Sequence, residues 1–322
     1  MTPIPHLTEA VRAAESQGTV ELAEAHELTG YSGLKLIGAL QRLTSVQSDV
    51  TGACYLEIGV FRGLTLLSVA AVNPTLPCFG IDNFAFFDRD GKNLGIVTKR
   101  RQAMNARNAH IINLDYEDAL ADLGRHAGDL RVVTYFVDGP HDYRSQLMCL
   151  ELALPHLHDH AVIVVDDANY NDVRQANRDF LTTHPDYALL FEAYTPCHPS
   201  NMTGEQLAAA RAGWWNGVNI IVHDPQGALQ RTYPPSERSR VLFENDRIVH
   251  SANIAESAPR AIRVGQLLAE RKWLRWLRES KWLYDEIGEK RQQRTAPFAD
   301  TNTYSASLPE SRHAPRATGA TP

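Results

Sequence analysis

The sequence has few cysteines and no long apolar run, and its first residues do not resemble a secretory leader. Its cysteines, Cys54, Cys78, Cys149 and Cys197, lie far apart and include no CxxC pair, which predicts reduced thiols and argues against a zinc site. No apolar stretch reaches the roughly 18 residues that a membrane-spanning helix needs. The first residues also lack the basic start and apolar core of a signal peptide. Together these absences predict a cytoplasmic protein.

The charge balance excludes one class of partner. Lysine and arginine number 32 against 38 aspartates and glutamates, a net charge of −6. Nucleic-acid binding requires a basic footprint that this balance does not provide, so no nucleic-acid partner is expected. The 322 residues are enough for one large α/β domain with additions, or for two smaller domains.

Short apolar runs alternate with helical segments between residues 49 and 224. The runs are Ala53–Ile58, Cys78–Ile81, His110–Leu114, Val132–Val137 and Ala161–Val165. This alternation predicts βα units and a mostly parallel sheet with helices on both faces. Two later runs, Tyr187–Ala193 and Val218–His223, suit an antiparallel pair around a long insert. We therefore expect an α/β, Rossmann-like, doubly wound sheet of seven strands, with an antiparallel last strand, over residues 49–224.

The regions on either side of this domain are predicted to be helical or disordered. Residues 1–48 form an N-terminal helical cap in this prediction, because apolar residues recur at helical spacing from Leu34 to Leu43. Residues 225–294 form a C-terminal extension with a basic amphipathic helix. Residues 295–322 are rich in Ser, Thr, Pro and Ala, which predicts a disordered tail.

The amphipathic helix of the extension raises the question of partners. A basic helix that carries tryptophans, here Trp273, Trp276 and Trp282, can lie on an anionic membrane surface. Such a helix more often packs on its own domain or on a partner subunit. Membrane contact is therefore not expected, and a homo-oligomer is the candidate assembly.

A glycine turn follows the first predicted strand, in the stretch LEIGVFRGLT. Gly59 ends the strand where the chain must turn, and Gly63 lets the next helix pack closely, so that an adenosine ligand can lie across the turn. The GxxxG spacing differs from the GxGxxG of dinucleotide folds. Glu57 precedes the first glycine by two residues. A carboxylate there is poorly placed for a pyrophosphate and suits a ligand with an ammonium or sulfonium charge.

Acids follow the next two predicted strands as well. Asp82 ends the second strand, where it is placed to accept hydrogen bonds from both hydroxyls of a ribose. Asp115 and Tyr116 follow the third run, beside the same crevice, where an adenine edge is expected. Each acid alone is also a common helix N-cap. Their order at successive strand ends favours S-adenosylmethionine as the ligand.

These motifs resemble a known family. Over roughly residues 30–223 the chain is similar to the class I S-adenosylmethionine-dependent methyltransferases. The resemblance lies in the stretches LEIGVFRGLT, GIDNF, VDGPHDY and the later VIVVDDAN. Within that class they resemble the cation-dependent O-methyltransferases, in the group that includes the macrolide-sugar (macrocin) O-methyltransferases. The resemblance implies methyl transfer to a hydroxyl of a small acceptor, such as a sugar or another natural product.

Three carboxylates are predicted to meet at the ends of the fourth and fifth strands. Asp138 ends the fourth, and the pair Asp166 and Asp167 ends the fifth. Neighbouring carboxylates repel and raise one another's pKa, which a bound divalent cation relieves. Oxygen ligands favour Mg²⁺, or Mn²⁺ or Ca²⁺, over zinc. The sequence thus predicts a metal site, although Asp-Gly-Pro is also a turn sequence and Asp166–Asp167 is also able to cap a helix.

His141 follows Asp138 by three residues, in the loop after the fourth strand. An imidazole has a suitable intrinsic pKa for a general base near neutral pH. By resemblance, a histidine here is similar to the macrolide-sugar enzymes, whereas the catechol-type branch has a lysine. His141 is therefore the candidate catalytic base.

Three other functions stay open at this stage. They are a metal-independent methyltransferase whose acids only cap helices, a nicotinamide-dependent dehydrogenase on the same fold, and a non-catalytic binding protein. Between the last two strands, Trp214 and Trp215 either floor an acceptor pocket or pack on the sheet. Residue spacing does not decide between the two placements.

Overall fold

A computed structural model of the chain describes residues 4–21, 28–237, 257–294 and 308–317. The chain divides into two compact units. The first unit comprises residues 1–236 and 302–322, and the second comprises residues 237–301.

One sheet organises the first unit. Its strands are β1 (Ala53–Ile58), β2 (Cys78–Ile81), β3 (Ala109–Ile112), β4 (Arg131–Val137), β5 (Leu157–Asp166), β6 (Tyr187–Ala193), β7 (Val218–His223) and β8 (Ser311–His313). The order across the sheet is β3-β2-β1-β4-β5-β7-β6-β8. Strands β1 to β5 pair in parallel, and β7 is antiparallel to both β5 and β6. The predicted Rossmann-like α/β sheet and its antiparallel strand are therefore confirmed.

The eighth strand corrects the prediction of seven strands. Strand β8 pairs antiparallel with β6 at the edge of the sheet, inside the segment that was predicted to be a disordered tail. Arg312 of β8 forms an ion pair with Glu192 of β6, which is fully buried. The sequence Ser-Arg-His has no apolar alternation, so its strand conformation depends on the edge of β6 rather than on its own pattern.

The helices of the first unit lie on both faces of this sheet. They are α1 (Ile4–Gln17), α2 (Leu34–Val46), α3 (Leu64–Val72), α4 (Asn93–Ala103), α5 (Tyr116–Ala121), α6 (Gly124–Ala127), α7 (Tyr143–Ala153), α8 (Asn171–Thr183) and α9 (Gly204–Ala212). Successive strand residues point to opposite faces. Tyr55 and Phe136 thus join a core with α1, α2 and α3, and Leu56 and Tyr135 join another with α5, α7 and α8.

The N-terminal cap pairs α1 with α2. Leu7 and Val11 of α1 are fully buried and share one apolar cluster with Leu36 and Leu40 of α2. The same cluster continues into β1 and α3, so these helices are part of the core of the first unit.

Within the described residues, the second unit holds α10 (Ala258–Ala269) and α11 (Trp273–Arg294). Arg260 of α10 pairs with Glu279 and Glu286 of α11, so the two helices form a hairpin. This unit begins at residue 237, later than the predicted extension at 225. Among the helices that the structure describes, none is long and apolar enough to cross a bilayer.

Candidate active site

The glycine turn after β1 is pressed directly against the end of β4. Gly59 has a φ of +92°, and a Cβ atom there would lie 1.8 Å from the backbone oxygen of Asp138. Gly63 has a φ of +83°, and its Cβ would meet Val97 at 2.6 Å. Both positions therefore require glycine, for conformation and for space. The turn that is predicted to hold the cofactor thus touches the strand end that is predicted to hold the metal.

Asp82 organises the backbone of this turn. One carboxylate oxygen accepts hydrogen bonds from the backbone amides of Val60 (2.9 Å) and Phe61 (2.7 Å), and the other accepts one from Phe84 (2.7 Å). Phe61 and Phe84 have φ values of 48° and 53°, a region that few residues other than glycine adopt. A carboxylate offers about four acceptor sites. Asp82 therefore retains acceptor capacity, and its contact with a ribose stays a prediction.

Glu57 lies beneath the glycine turn, and its contact with a ligand stays a prediction. Its side chain is fully buried, accepting hydrogen bonds from the Tyr55 hydroxyl (2.7 Å) and the Thr65 hydroxyl (3.2 Å). Burial raises the pKa of Glu57 to about 8, although both hydrogen bonds lower it. Its immediate partners are thus hydroxyl groups of β1 and α3, which join the strand to the following helix.

The raised pKa of Glu57 predicts a pH-dependent stability. The carboxyl ionises near 4.5 when exposed and near 8 when buried, so the free energy of unfolding is lowered progressively as the pH rises through this window. Replacing Glu57 with glutamine removes the titration. We expect the stability of the variant relative to wild type to rise by about 1.4 kcal/mol per pH unit across the window, measured by urea unfolding at several pH values.

The exposed Glu9 of α1 provides the matched control, because Glu9→Gln makes the same chemical change without burial. Its stability relative to wild type is expected to stay constant over the same range. A constant difference for Glu57→Gln as well would contradict the raised pKa.

Asp115 and Tyr116 lie at the start of α5. One oxygen of Asp115 accepts from the Glu117 amide (2.9 Å) as an N-cap, and the other accepts from the Asn83 side chain (3.3 Å). Tyr116 is buried, and its hydroxyl donates to Glu117 (3.0 Å). The structure thus gives both residues local roles, and their contact with adenine stays a prediction.

The structure brings Asp138, His141 and Asp167 together at the ends of β4 and β5. One ligand atom from each residue lies within 4.8 Å of the others. Asp166, which was predicted as a third ligand, is not part of this group. One of its oxygens accepts from the Asp167 amide (2.8 Å), and the other is buried with no hydrogen-bond partner among the described residues.

The three aspartates at the ends of β4 and β5 change one another's pKa. Burial raises the pKa of both Asp138 and Asp166 well above the usual range, and neighbouring carboxylates raise them further. Burial also raises the pKa of Asp167, but the charge of His141 and hydrogen bonds from His141 and Asn216 leave it below its usual value. Crowded acids and an unpartnered buried oxygen fit an oxygen-preferring divalent cation.

The imidazole of His141 pairs with the carboxylate of Asp167, with Nε2 of His141 lying 2.8 Å from an oxygen of Asp167. Burial lowers the pKa of the imidazole, but Asp167 more than compensates, and the net pKa is raised. The Tyr170 ring stacks on the imidazole with ring centroids 5.2 Å apart. The predicted base is thus oriented by a carboxylate on one side and a ring on its face.

Sequence reasoning missed three residues of this site. Tyr170 follows β5, His198 lies 6.0 Å from the Tyr170 ring, and Asn216 donates a hydrogen bond to Asp167. His198 and Asn216 belong to the insert between β6 and β7, in which only the tryptophans were candidates for a pocket near the site. Neither residue follows a parallel strand, so the rule that acids at parallel strand ends gather at one edge does not predict their position.

The two tryptophans of the insert take different places. Trp214 is buried and packs on Phe191 of β6, with ring centroids 4.9 Å apart. Trp215 stacks on Tyr31 (6.2 Å), which stacks in turn on Phe61 of the glycine turn (5.5 Å). The sheet-packing alternative therefore holds for Trp214, while Trp215 belongs to an aromatic stack beside the turn.

Several solved structures are similar to this chain at low identity. An O-methyltransferase from Bacillus cereus in complex with SAH is 14% identical, with 68% of this chain and 91% of that chain covered and a TM-score of 0.44. The calicheamicin methyltransferase CalS11 is 16% identical, with 57% and 86% covered and a TM-score of 0.43. TomG from Streptomyces achromogenes is 15% identical, with 68% and 90% covered and a TM-score of 0.42. At this level they add no argument about function.

The sequence of the central domain is more informative. Residues 56–168 match the family described as a methyltransferase domain, whereas no curated protein matches the chain. The matched segment runs from β1 to the end of β5 and includes the glycine turn and the clustered acids. The predicted resemblance to methyltransferases is thereby confirmed for residues 56–168, which match a methyltransferase domain.

Proposed function

We propose that the chain transfers a methyl group from S-adenosylmethionine to a hydroxyl of a small acceptor, such as a sugar or another natural product, with the help of a divalent cation such as Mg²⁺. One observation carries the proposal. The cluster of Asp138, His141 and Asp167 lies against the glycine turn, where Gly59 touches the backbone of Asp138. A base and a cation would therefore stand beside the methyl donor.

The absent groups would supply two things. S-adenosylmethionine provides an electrophilic methyl group on a sulfonium. A divalent cation lowers the pKa of a hydroxyl and orients it. The cation would be held by carboxylate oxygens of Asp138 and Asp167 and by the unpartnered oxygen of Asp166.

The chain itself supplies the proton acceptor. When His141 is neutral and its Nε2–H donates a hydrogen bond to Asp167, Nδ1 carries no proton. Nδ1 is then the nitrogen that would accept a proton from the acceptor hydroxyl. The negative charge of Asp167 at 2.8 Å stabilises the imidazolium that results. Stacking by Tyr170 restricts rotation of the ring. A positioned base of this kind typically contributes about 10²–10⁴-fold to a rate.

A metal-independent methyltransferase is the second candidate. The pairing of His141 with Asp167 favours it, because this dyad is complete without a cation. In that case Asp167 serves His141, Asp166 holds the backbone of Asp167, and no metal takes part.

Removal of divalent cations separates the two candidates. After dialysis against EDTA we expect S-adenosylmethionine to bind with little change, as measured by calorimetry. Methyl transfer to a panel of hydroxylated acceptors, followed as S-adenosylhomocysteine formed, is expected to fall by about two to three orders of magnitude and to return with Mg²⁺, since a Lewis acid contributes several kcal/mol.

Either contrary result is informative. Transfer that is insensitive to EDTA supports the metal-independent candidate. Failure of S-adenosylmethionine to bind under any condition contradicts the proposed function as a whole.

A further inference from the structure

Asp167 has an unusual backbone conformation for a residue with a side chain. Its φ is 53°, a left-handed conformation in which aspartate is tolerated better than most residues. Such a residue keeps its place only when its surroundings hold it. The contacts of its carboxylate are therefore the relevant ones. His141 lies at one oxygen, and the amide nitrogen of Asn216 donates to the other.

Asn216 is itself held in one orientation. It is fully buried, just before β7, and its amide oxygen accepts a hydrogen bond from Asn169 (2.9 Å). A carboxylate only accepts hydrogen bonds, so the Asn216 nitrogen must face Asp167. The two contacts leave one consistent orientation of the Asn216 amide.

Asn169 is oriented in the same way by Thr195, near the start of the insert. The Asn169 side chain donates to the Thr195 hydroxyl (2.6 Å) and accepts from the Thr195 backbone amide (3.2 Å). The adjacent Gly217 leaves no room for a side chain, because its Cβ would lie 2.5 Å from the Asn169 side-chain oxygen. A series of oriented amides thus runs from the insert to Asp167.

We infer that Asn216 is a positioning residue for the candidate active site, acting through Asp167 to orient His141 and the metal-facing carboxylate. The effect of Asn216 on cation binding and catalysis rests on the proposed function, whereas its effect on the orientation of His141 does not. Without Asn216, the left-handed Asp167 loses one of the two contacts that hold its carboxylate. Groups that orient a metal ligand in this way are typically worth about 10–100-fold in metal affinity or activity.

The test compares two buried asparagines. Asn216→Leu keeps the number of side-chain heavy atoms, and it removes both the donor to Asp167 and the acceptor from Asn169. Asn177→Leu is the matched control, since Asn177 is equally buried and bonds only to Gln146 and Asn219 among the contacts described. We expect Asn216→Leu to weaken Mn²⁺ binding about 10–100-fold by calorimetry and to shift the imidazole NMR resonances of His141. The control is expected to change neither, and S-adenosylmethionine affinity is expected to stay within about twofold in both.

The possible failures can be told apart. If wild type binds no Mn²⁺, the proposed cation site fails, while the His141 resonances still report on the role of Asn216. Unchanged resonances and unchanged Mn²⁺ affinity in folded Asn216→Leu would overturn the inference. If that variant does not fold, Asn216→Ser tests the same contact, because its hydroxyl is too short to replace the amide, and the same readouts decide.

Discussion

Replacing His141 with alanine is expected to lower the rate of methyl transfer by about two to four orders of magnitude, the usual contribution of a positioned general base. In the proposed reaction, Nδ1 of the imidazole would accept the proton while Nε2 is held 2.8 Å from Asp167. S-adenosylmethionine affinity is expected to change little, because the glycine turn is intact. Single-turnover rates and calorimetric titration of the cofactor measure the two quantities separately.

His184 offers a matched control for this variant. It forms the same kind of pair, with Nε2 3.0 Å from Glu151, at the opposite end of α8 from Asp167. His184→Ala removes an imidazole and its contact with a carboxylate, yet it leaves the candidate site untouched. Its rate is expected to equal that of wild type. A normal rate for His141→Ala would show that another group accepts the proton.

Replacing Gly59 with alanine is the second large effect that we expect. The new Cβ would lie 1.8 Å from the Asp138 backbone oxygen, far closer than two non-bonded atoms can approach. The ends of β1 and β4 must therefore separate, which costs about 4 kcal/mol or more in the free energy of unfolding. Any protein that remains folded is expected to lose S-adenosylmethionine and Mn²⁺ binding together, because the turn and Asp138 move as one. Urea unfolding and calorimetry measure these losses.

Gly52→Ala is the control that separates the steric clash of Gly59→Ala from the cost of a left-handed backbone. Gly52 also has a positive φ, +73°, but a Cβ atom there meets nothing within 4 Å. Gly52→Ala is therefore expected to cost only about 1–2 kcal/mol, the penalty of a left-handed residue, and to leave both ligands bound. Equal losses of stability for the two variants would mean that the contact between the turn and Asp138 is unimportant.

The sequence pattern was sufficient for the main features of the fold. Apolar runs alternating with helical segments predict a parallel sheet, and acids at strand ends must then gather at one edge, because parallel strands share a direction. In the structure Asp82 accepts hydrogen bonds from the glycine turn, Gly59 touches the backbone of Asp138, and Asp167 lies beside Asp138. The binding roles of these acids stay predictions. The sequence pattern did not identify β8, whose three residues depend on the edge of β6 for their hydrogen bonds.

The sequence pattern does not predict the direction in which each acidic side chain points. Glu57 and Asp115 occupy the predicted strand ends, but Glu57 is enclosed by Tyr55 and Thr65, and Asp115 caps α5. A carboxylate takes the donors that its surroundings offer, and those donors come from side-chain packing rather than from spacing. Position therefore followed from the sequence, whereas the hydrogen-bond partner did not.

By itself, the sequence determined the α/β class, the glycine turn and the clustering of acids, because these depend on local periodicity and strand direction. The resemblance to methyltransferases rested on short motifs at the strand ends. Only the tertiary structure decided that His141 pairs with Asp167 and that Asn216, 49 residues further along the chain, holds the same carboxylate. The first contact requires the loop after β4 to fold against the end of β5, and the second requires the insert to return to the same point. Both depend on long-range packing, for which the local sequence has no signal.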